Sequence, residues 1–163
     1  MVTKSSLRSL KINIKKMIKV KFIIIILNII FLFNFAKAES NFSLKDYLDE
    51  KSIEEGSTQI YLLNRCSAVY AYASGIILKT DAVSSKNFIE TSNNLLFKSV
   101  ELMVIEKEET LEEAQKKAEE NRKELFNKYI ADGKKNWNKN KSHFKGSYIA
   151  DDMTICSKLT AEK

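Results

Sequence analysis

The chain has 163 residues, among them 27 Lys and Arg, 21 Asp and Glu, two Cys, one His and no Pro. Eight of the basic residues and none of the acidic residues lie in 1–38, which leaves 19 basic and 21 acidic residues in 39–163, a net charge of −2. The basic balance of the whole chain therefore does not indicate a nucleic-acid partner, because the excess positive charge surrounds an N-terminal apolar segment.

This apolar segment runs over 15 positions from Phe22 to Ala36 and follows a lysine-rich stretch. At about 1.5 Å per helical residue it is shorter than the roughly 30 Å hydrocarbon core of a bilayer. Small residues flank Lys37 in the pattern of an export cleavage site. The segment therefore predicts a signal peptide over 1–38 and a mature chain that begins at Glu39.

Two alternatives concern the same segment. Met17 is an alternative start, because a complete export signal follows it. Alternatively, residues 20–38 remain as an uncleaved anchor in the inner membrane, with the domain outside. In each case the lysines before the apolar run stay inside and the rest of the chain crosses, so the predicted location of the domain is periplasmic or secreted.

The remaining residues, 39–163, predict a single all-α domain, a small bundle of about four to five helices. Abundant Leu, Glu, Lys, Ala and Ile with few glycines favours helices. In chain order the predicted helices cover Ser43 to about Glu54, Ser57 to Lys79, 82–104, 110–131 and 148–159. Whether 82–104 and 110–131 form one continuous helix stays open at this point.

The clearest local signals are two capping boxes and one apolar stripe. Ser43 with Asp46, and Thr110 with Glu113, have the spacing of reciprocal N-terminal caps. The second helix places apolar residues at three- and four-residue intervals, which predicts a face packed on a core. The stripe consists of Leu62, Leu63, Cys66, Val69, Tyr70, Ala73, Ile76 and Ile77.

The segment Gly133–Gly146, GKKNWNKNKSHFKG, predicts a polar, basic loop. It contains five lysines and no acidic residue, with two aromatic residues among them. Such a combination suits an anionic lipid headgroup, an envelope polymer or an acidic protein face. The candidate anionic-surface residues are Lys134, Lys135, Trp137, Lys139, Lys141, Phe144 and Lys145.

Two cysteines in an exported chain predict one disulfide, between Cys66 and Cys156. The alternative, a reactive thiol, requires an activating neighbour, and the sequence shows none. The predicted bridge connects the last helix to the second.

Signals of catalysis are few. His143 is the only histidine, which argues against a histidine-rich metal site and favours a surface side chain among lysines. Asp151 and Asp152 could act as an acid/base pair, but at the start of a helix they are more simply capping carboxylates. Tyr70 shares the apolar stripe, whereas Tyr61 and Tyr72 are expected to point elsewhere. We predict no catalytic residue, metal site or cofactor.

The segments LNRCSAVY, residues 63–70, and IADDMTIC, residues 149–156, resemble the paired-cysteine segments of small uncharacterised exported helical proteins of Gram-negative bacteria. This resemblance implies an envelope location and a helical architecture, without an activity. The chain also resembles, more distantly, the small periplasmic acid-stress chaperones, which are helical and have one disulfide.

Together these features predict an exported envelope protein with a non-catalytic binding or structural role. The alternatives are a periplasmic chaperone-like stress protein, a membrane-anchored accessory subunit and a small helical enzyme that uses Asp151, Asp152 or His143. The expected partner is an unidentified envelope protein or an anionic envelope surface, with no nucleic acid. Contact with the membrane itself is expected only through the N-terminal segment.

Overall fold

The computed structural model describes residues 43–161, and this part of the chain consists of five α-helices without a β-strand. The predicted all-α class and the number of helices are therefore confirmed. The helices are α1 Leu44–Glu50, α2 Gly56–Ile77, α3 Ala82–Lys107, α4 Leu111–Asn140 and α5 Tyr148–Ala161. The predictions for the signal peptide over 1–38, the start at Met17, cleavage before Glu39 and the anchor over 20–38 lie outside the described residues.

Both predicted capping boxes are present. The Ser43 side chain accepts a hydrogen bond from the backbone N–H of Asp46, whose carboxylate accepts one from the backbone N–H of Ser43. Thr110 and Glu113 make the same reciprocal pair at the start of α4. Each box satisfies N–H groups that the first helical turn leaves without intrahelical partners.

The helix is interrupted between α3 and α4, so residues 82–104 and 110–131 belong to separate helices. Glu108 ends α3 in the left-handed conformation, with φ 53°. The Glu109 carboxylate then lies 3.0 Å from the Lys117 ammonium, one and a half turns into α4. The Thr110 cap completes a tight reversal that places α4 beside α3.

Serine side chains hold α2 against α3. Ser67 and Ser92 each donate a hydrogen bond to the other's backbone carbonyl, at 2.8 and 2.7 Å. Ser74 and Ser85 form an equivalent reciprocal pair, at 2.9 and 3.0 Å. The two pairs are seven residues apart on each helix, so they lie along one seam. Small hydroxylated residues let the two backbones approach closely and satisfy their own polar atoms, so the seam is tight although it is not apolar.

The core surrounds α2. Most of the predicted apolar stripe is buried there, including Leu62, Val69 and Tyr70. Cys66 and Cys156 form the predicted disulfide, with Cα atoms 5.3 Å apart, and both are fully buried. The bridge attaches α5 to the middle of α2.

The predicted loop over Gly133–Gly146 is wrong for its first eight residues, because α4 continues to Asn140. Gly133 and Asn136 face inward and are buried. The Asn136 side chain donates hydrogen bonds to the carbonyls of Ser142 and Lys145, at 2.8 and 3.0 Å, and so organises the turn that follows. Glycine and asparagine are typical of turns, but here they allow a close helix contact and anchor a turn from within the helix.

We expect loss of the disulfide to destabilise the domain. Closing a loop with a sequence separation of 90 residues reduces the entropy of the unfolded chain, which corresponds to at most about 4.6 kcal/mol of stability. Reduction, or the double substitution Cys66→Ser/Cys156→Ser, should lower the melting temperature measured by circular dichroism. Non-reducing peptide mapping should show a fragment that joins the two cysteines. Two free thiols in freshly purified protein would contradict the assignment.

Gly75 and Gly133, both in helix interiors, should respond to alanine in opposite directions. A Cβ at Gly133 would overlap the Tyr72 phenol, whereas a Cβ at Gly75 would meet nothing within 4 Å. Gly133→Ala should cost about 1–3 kcal/mol through overpacking. Gly75→Ala should be neutral or stabilise by up to about 1 kcal/mol, because alanine favours the helix. Urea unfolding of both variants measures the difference, and equal effects would show that the contact with Tyr72 is unimportant.

Candidate functional site

A fully buried ion pair connects α2 to α5. The Arg65 guanidinium contacts the Asp152 carboxylate through Nη2 at 2.7 Å and Nε at 2.9 Å. The other Asp152 oxygen accepts a hydrogen bond from the backbone N–H of Leu44 at 2.7 Å. The exposed fractions of the Arg65 and Asp152 side chains are 2% and 0%. A single carboxylate therefore joins α1, α2 and α5.

Tyrosine hydroxyls complete the polar network around this pair. Tyr129 of α4 donates a hydrogen bond to Asp152 at 2.7 Å, and Arg65 donates one to the Tyr61 hydroxyl at 2.6 Å. The Arg65 guanidinium also lies 5.8 Å from the ring centroid of Tyr61 and 5.7 Å from that of Tyr148, within the range of cation–π contacts. The network thus includes α4 as well.

The electrostatics of the network favour a fixed protonation pattern. Burial opposes the charge of Arg65, but Tyr129 and Asp152 hold its pKa above the usual value. Burial, with Asp152 next to the hydroxyl, raises the pKa of Tyr129 well above that of a free phenol. Burial also raises the pKa of Tyr148, together with its hydrogen bond to Asp132 at 2.8 Å. The phenols therefore stay neutral donors at physiological pH.

This arrangement corrects the expectation for the Asp151–Asp152 pair. Asp151 is exposed in the first turn of α5, as a capping carboxylate would be. Asp152 instead points inward, and partners from three other helices occupy its two oxygens. It stabilises the fold and presents no carboxylate to a substrate. No residue spacing within α5 indicates this, because the partner Arg65 is 87 positions away.

Tyr72 and His143 are both more buried than the sequence predicts. Tyr72 was expected to point away from the core, but it is buried beside Gly133, and burial raises its pKa to about 12. Its hydroxyl shares a hydrogen bond of 2.9 Å with Nδ1 of His143. The histidine is half-buried in the turn between α4 and α5 and is not a free surface side chain.

His143 in turn supports the only tryptophan of the chain. The rings of Trp137 and His143 stack with centroids 4.9 Å apart and an interplanar angle of 23°. The buried Tyr72 thus positions His143, and His143 positions Trp137, which remains 45% exposed. An aromatic ring that is held from one side and exposed on the other is suited to contact with a partner.

The structure separates the predicted anionic-surface residues into two sets. Ile130 and Lys134 share one side of α4 with Trp137, at helical spacings of seven and three residues. Lys141 follows Trp137 by four positions as the C-terminal cap of α4, and its backbone N–H donates a hydrogen bond to the Trp137 carbonyl. We call Ile130, Lys134, Trp137 and Lys141 the Trp137 surface.

The other four predicted residues lie away from this surface or support it. Lys135 is exposed, but its ammonium lies 3.3 Å from the Asp132 carboxylate, which offsets its charge. Phe144 packs against Tyr72, with centroids 5.7 Å apart, and belongs to the core edge. Lys139 is exposed near the end of α4, and Lys145 is exposed in the turn that follows.

Within residues 43–161 there is neither a metal-binding cluster nor a membrane-spanning helix. No group of three or more His, Cys, Asp or Glu side chains is placed to hold a metal ion in this part of the chain. No helix within the same range is long and apolar enough to cross a membrane.

We expect Asp152→Asn to destabilise the domain strongly, whereas Asp151→Asn should not. Removing the carboxylate charge leaves the Arg65 guanidinium buried without a counter-ion, which costs about 3–5 kcal/mol. The neighbouring Asp151 is exposed, so its amide should change stability by less than about 1 kcal/mol. Chemical unfolding of the two variants checks this prediction. Similar stabilities would show that the ion pair is not essential.

Comparison of the chain with protein-family models, with curated proteins and with solved structures found no match. Any function of this chain therefore rests on the residues and the geometry described above.

Proposed function

We propose that the chain is an exported helical protein of the bacterial envelope with a non-catalytic binding role. In this proposal the Trp137 surface binds anionic lipid headgroups at the membrane face. The buried disulfide supports export, because such bridges persist mainly in oxidising compartments. The apolar segment Phe22–Ala36, which lies between lysines, also supports export.

The observation that carries the binding role is the exposed Trp137 ring, with Lys134 three positions before it and Lys141 four positions after it. Tryptophan prefers the headgroup region of a membrane, where its apolar body is partly buried and its indole N–H stays hydrated. Each nearby lysine adds about 1 kcal/mol of attraction to an anionic surface. Tyr72 and His143 hold the ring in place, so less conformational entropy is lost on binding.

The charge distribution also favours an anionic partner. The residues 39–163 have a net charge of −2, yet 133–146 contain five lysines and no acidic residue. A locally basic end on a weakly acidic domain would orient the protein towards an anionic surface. It would also limit adhesion through the other faces, since these are on balance acidic.

Binding to anionic vesicles should depend on the Trp137 surface. Vesicles that contain phosphatidylglycerol should shift the Trp137 emission to shorter wavelength, and vesicles of phosphatidylcholine alone should not. Trp137 is the only tryptophan, so the signal reports this position directly. Lys134→Gln/Lys141→Gln should weaken binding about tenfold or more. Raising the ionic strength should weaken wild-type binding in the same way.

The matched control is Lys135→Gln/Lys139→Gln, which removes the same charge from the same basic segment, 133–146. Lys135 already faces Asp132, and neither lysine flanks Trp137 at one-turn spacing, so this control should bind nearly as the wild type. Melting temperatures of both variants should match the wild type. If the two double substitutions weaken binding equally, binding depends on net charge and not on the Trp137 surface. Failure of the wild type to bind anionic vesicles would refute the proposal.

A further inference from the structure

A groove lies between α3 and α4, and α2 forms its floor. Ala71 of α2, Ile89 and Asn93 of α3, and Arg122 and Phe126 of α4 contribute to its lining. Its volume is about 420 Å³. Sites for small molecules typically enclose roughly 300–1,000 Å³, so the groove is large enough for a ligand.

A small residue, Ala71, forms the floor of this groove on α2. Ala71 is partly exposed at its floor, and Gly75 lies one helical turn further on the same side of α2. A Cβ at Gly75 would meet no atom within 4 Å, so space remains above the helix at this turn. The apolar side chains of Ile89 and Phe126 form facing walls, and the Ile89 side chain remains 38% exposed.

Two cations lie at the rim of the groove. Arg122 is half-buried, and its Nη1 donates a hydrogen bond of 3.0 Å to Asn93 across the groove. A guanidinium has five N–H donors, so this bond leaves others for an anion. The adjacent Lys123 also contributes to the lining. The single lining carboxylate, Glu119, accepts a hydrogen bond from Gln115 one turn back along the helix.

We propose that this groove binds a single-chain anionic amphiphile of the fatty-acid type. The hydrocarbon chain lies over Ala71 between Ile89 and Phe126, and the carboxylate is bound by Arg122. Apolar walls with one convergent guanidinium match a ligand that has an apolar body and one anionic end. This site uses none of the residues of the Trp137 surface and does not depend on the function proposed for that surface.

Dodecanoate is a suitable probe, and titration calorimetry below its micelle concentration measures its binding to the mature protein. The wild type should bind dodecanoate. It should bind dodecyltrimethylammonium, which has the same chain and the opposite charge, at least about tenfold more weakly. Equal binding of the two amphiphiles would refute the role of the guanidinium.

Two variants test the two parts of the groove. Ala71→Phe should abolish binding by filling the floor, and Arg122→Gln should weaken binding about tenfold or more. The matched controls are Ala131→Phe, which introduces the same side chain, and Lys98→Gln, which also removes one positive charge; both positions are exposed and outside the groove. Both controls should bind dodecanoate as the wild type does.

The outcomes distinguish this site from the Trp137 surface. Lys134→Gln/Lys141→Gln should leave dodecanoate binding unchanged. If Ala71→Phe unfolds the protein, Arg122→Gln and nuclear magnetic resonance shifts of the Ile89 methyl groups still report on the groove. Absence of dodecanoate binding by the wild type, or equal loss with the matched controls, would overturn the proposal.

Discussion

The buried contact between Arg65 and Asp152 joins four of the five described helices. A guanidinium and a carboxylate that are removed from water are stable only when their remaining donors and acceptors are satisfied. Leu44, Tyr129 and Tyr61 provide these partners, and they come from three different helices. The requirement to satisfy one ion pair therefore fixes α1, α2, α4 and α5 around a common point.

The disulfide reinforces the same junction. Cys66 follows Arg65 directly on α2, and Cys156 lies one turn beyond Asp152 on α5. One link is covalent and acts mainly by restricting the unfolded chain. The other is the ion pair, which is directional because the guanidinium can donate its hydrogen bonds only to a correctly placed carboxylate. Together they hold the short α5 against α2.

Both proposed binding surfaces include residues of α4, the groove near the middle of the helix and the Trp137 surface at its C-terminal end. Above Ala71 of α2, α3 and α4 leave a groove beside Arg122 and Phe126. Near the C-terminal end of α4, Trp137 is stacked on His143. The extension of α4 to Asn140 therefore converts a basic segment into an ordered surface.

The sequence by itself determined the features that depend on near neighbours or on counting. The caps at Ser43 and Thr110 involve residues three positions apart, and two cysteines permit only one pairing within a chain. The helical class follows from composition and periodicity in the same way. Of the candidate site, the sequence identified Trp137 and its neighbouring lysines.

Only the tertiary structure decided the features that depend on distant partners. The inward orientation of Asp152 depends on Arg65, 87 positions away, and the place of His143 depends on Tyr72, 71 positions away. From sequence alone Gly133 indicates a turn, but in the structure it is needed because the Tyr72 phenol occupies the space of a side chain. Local patterns report contacts within about one helical turn, whereas burial of a charge or a close helix approach is settled only when the helices pack.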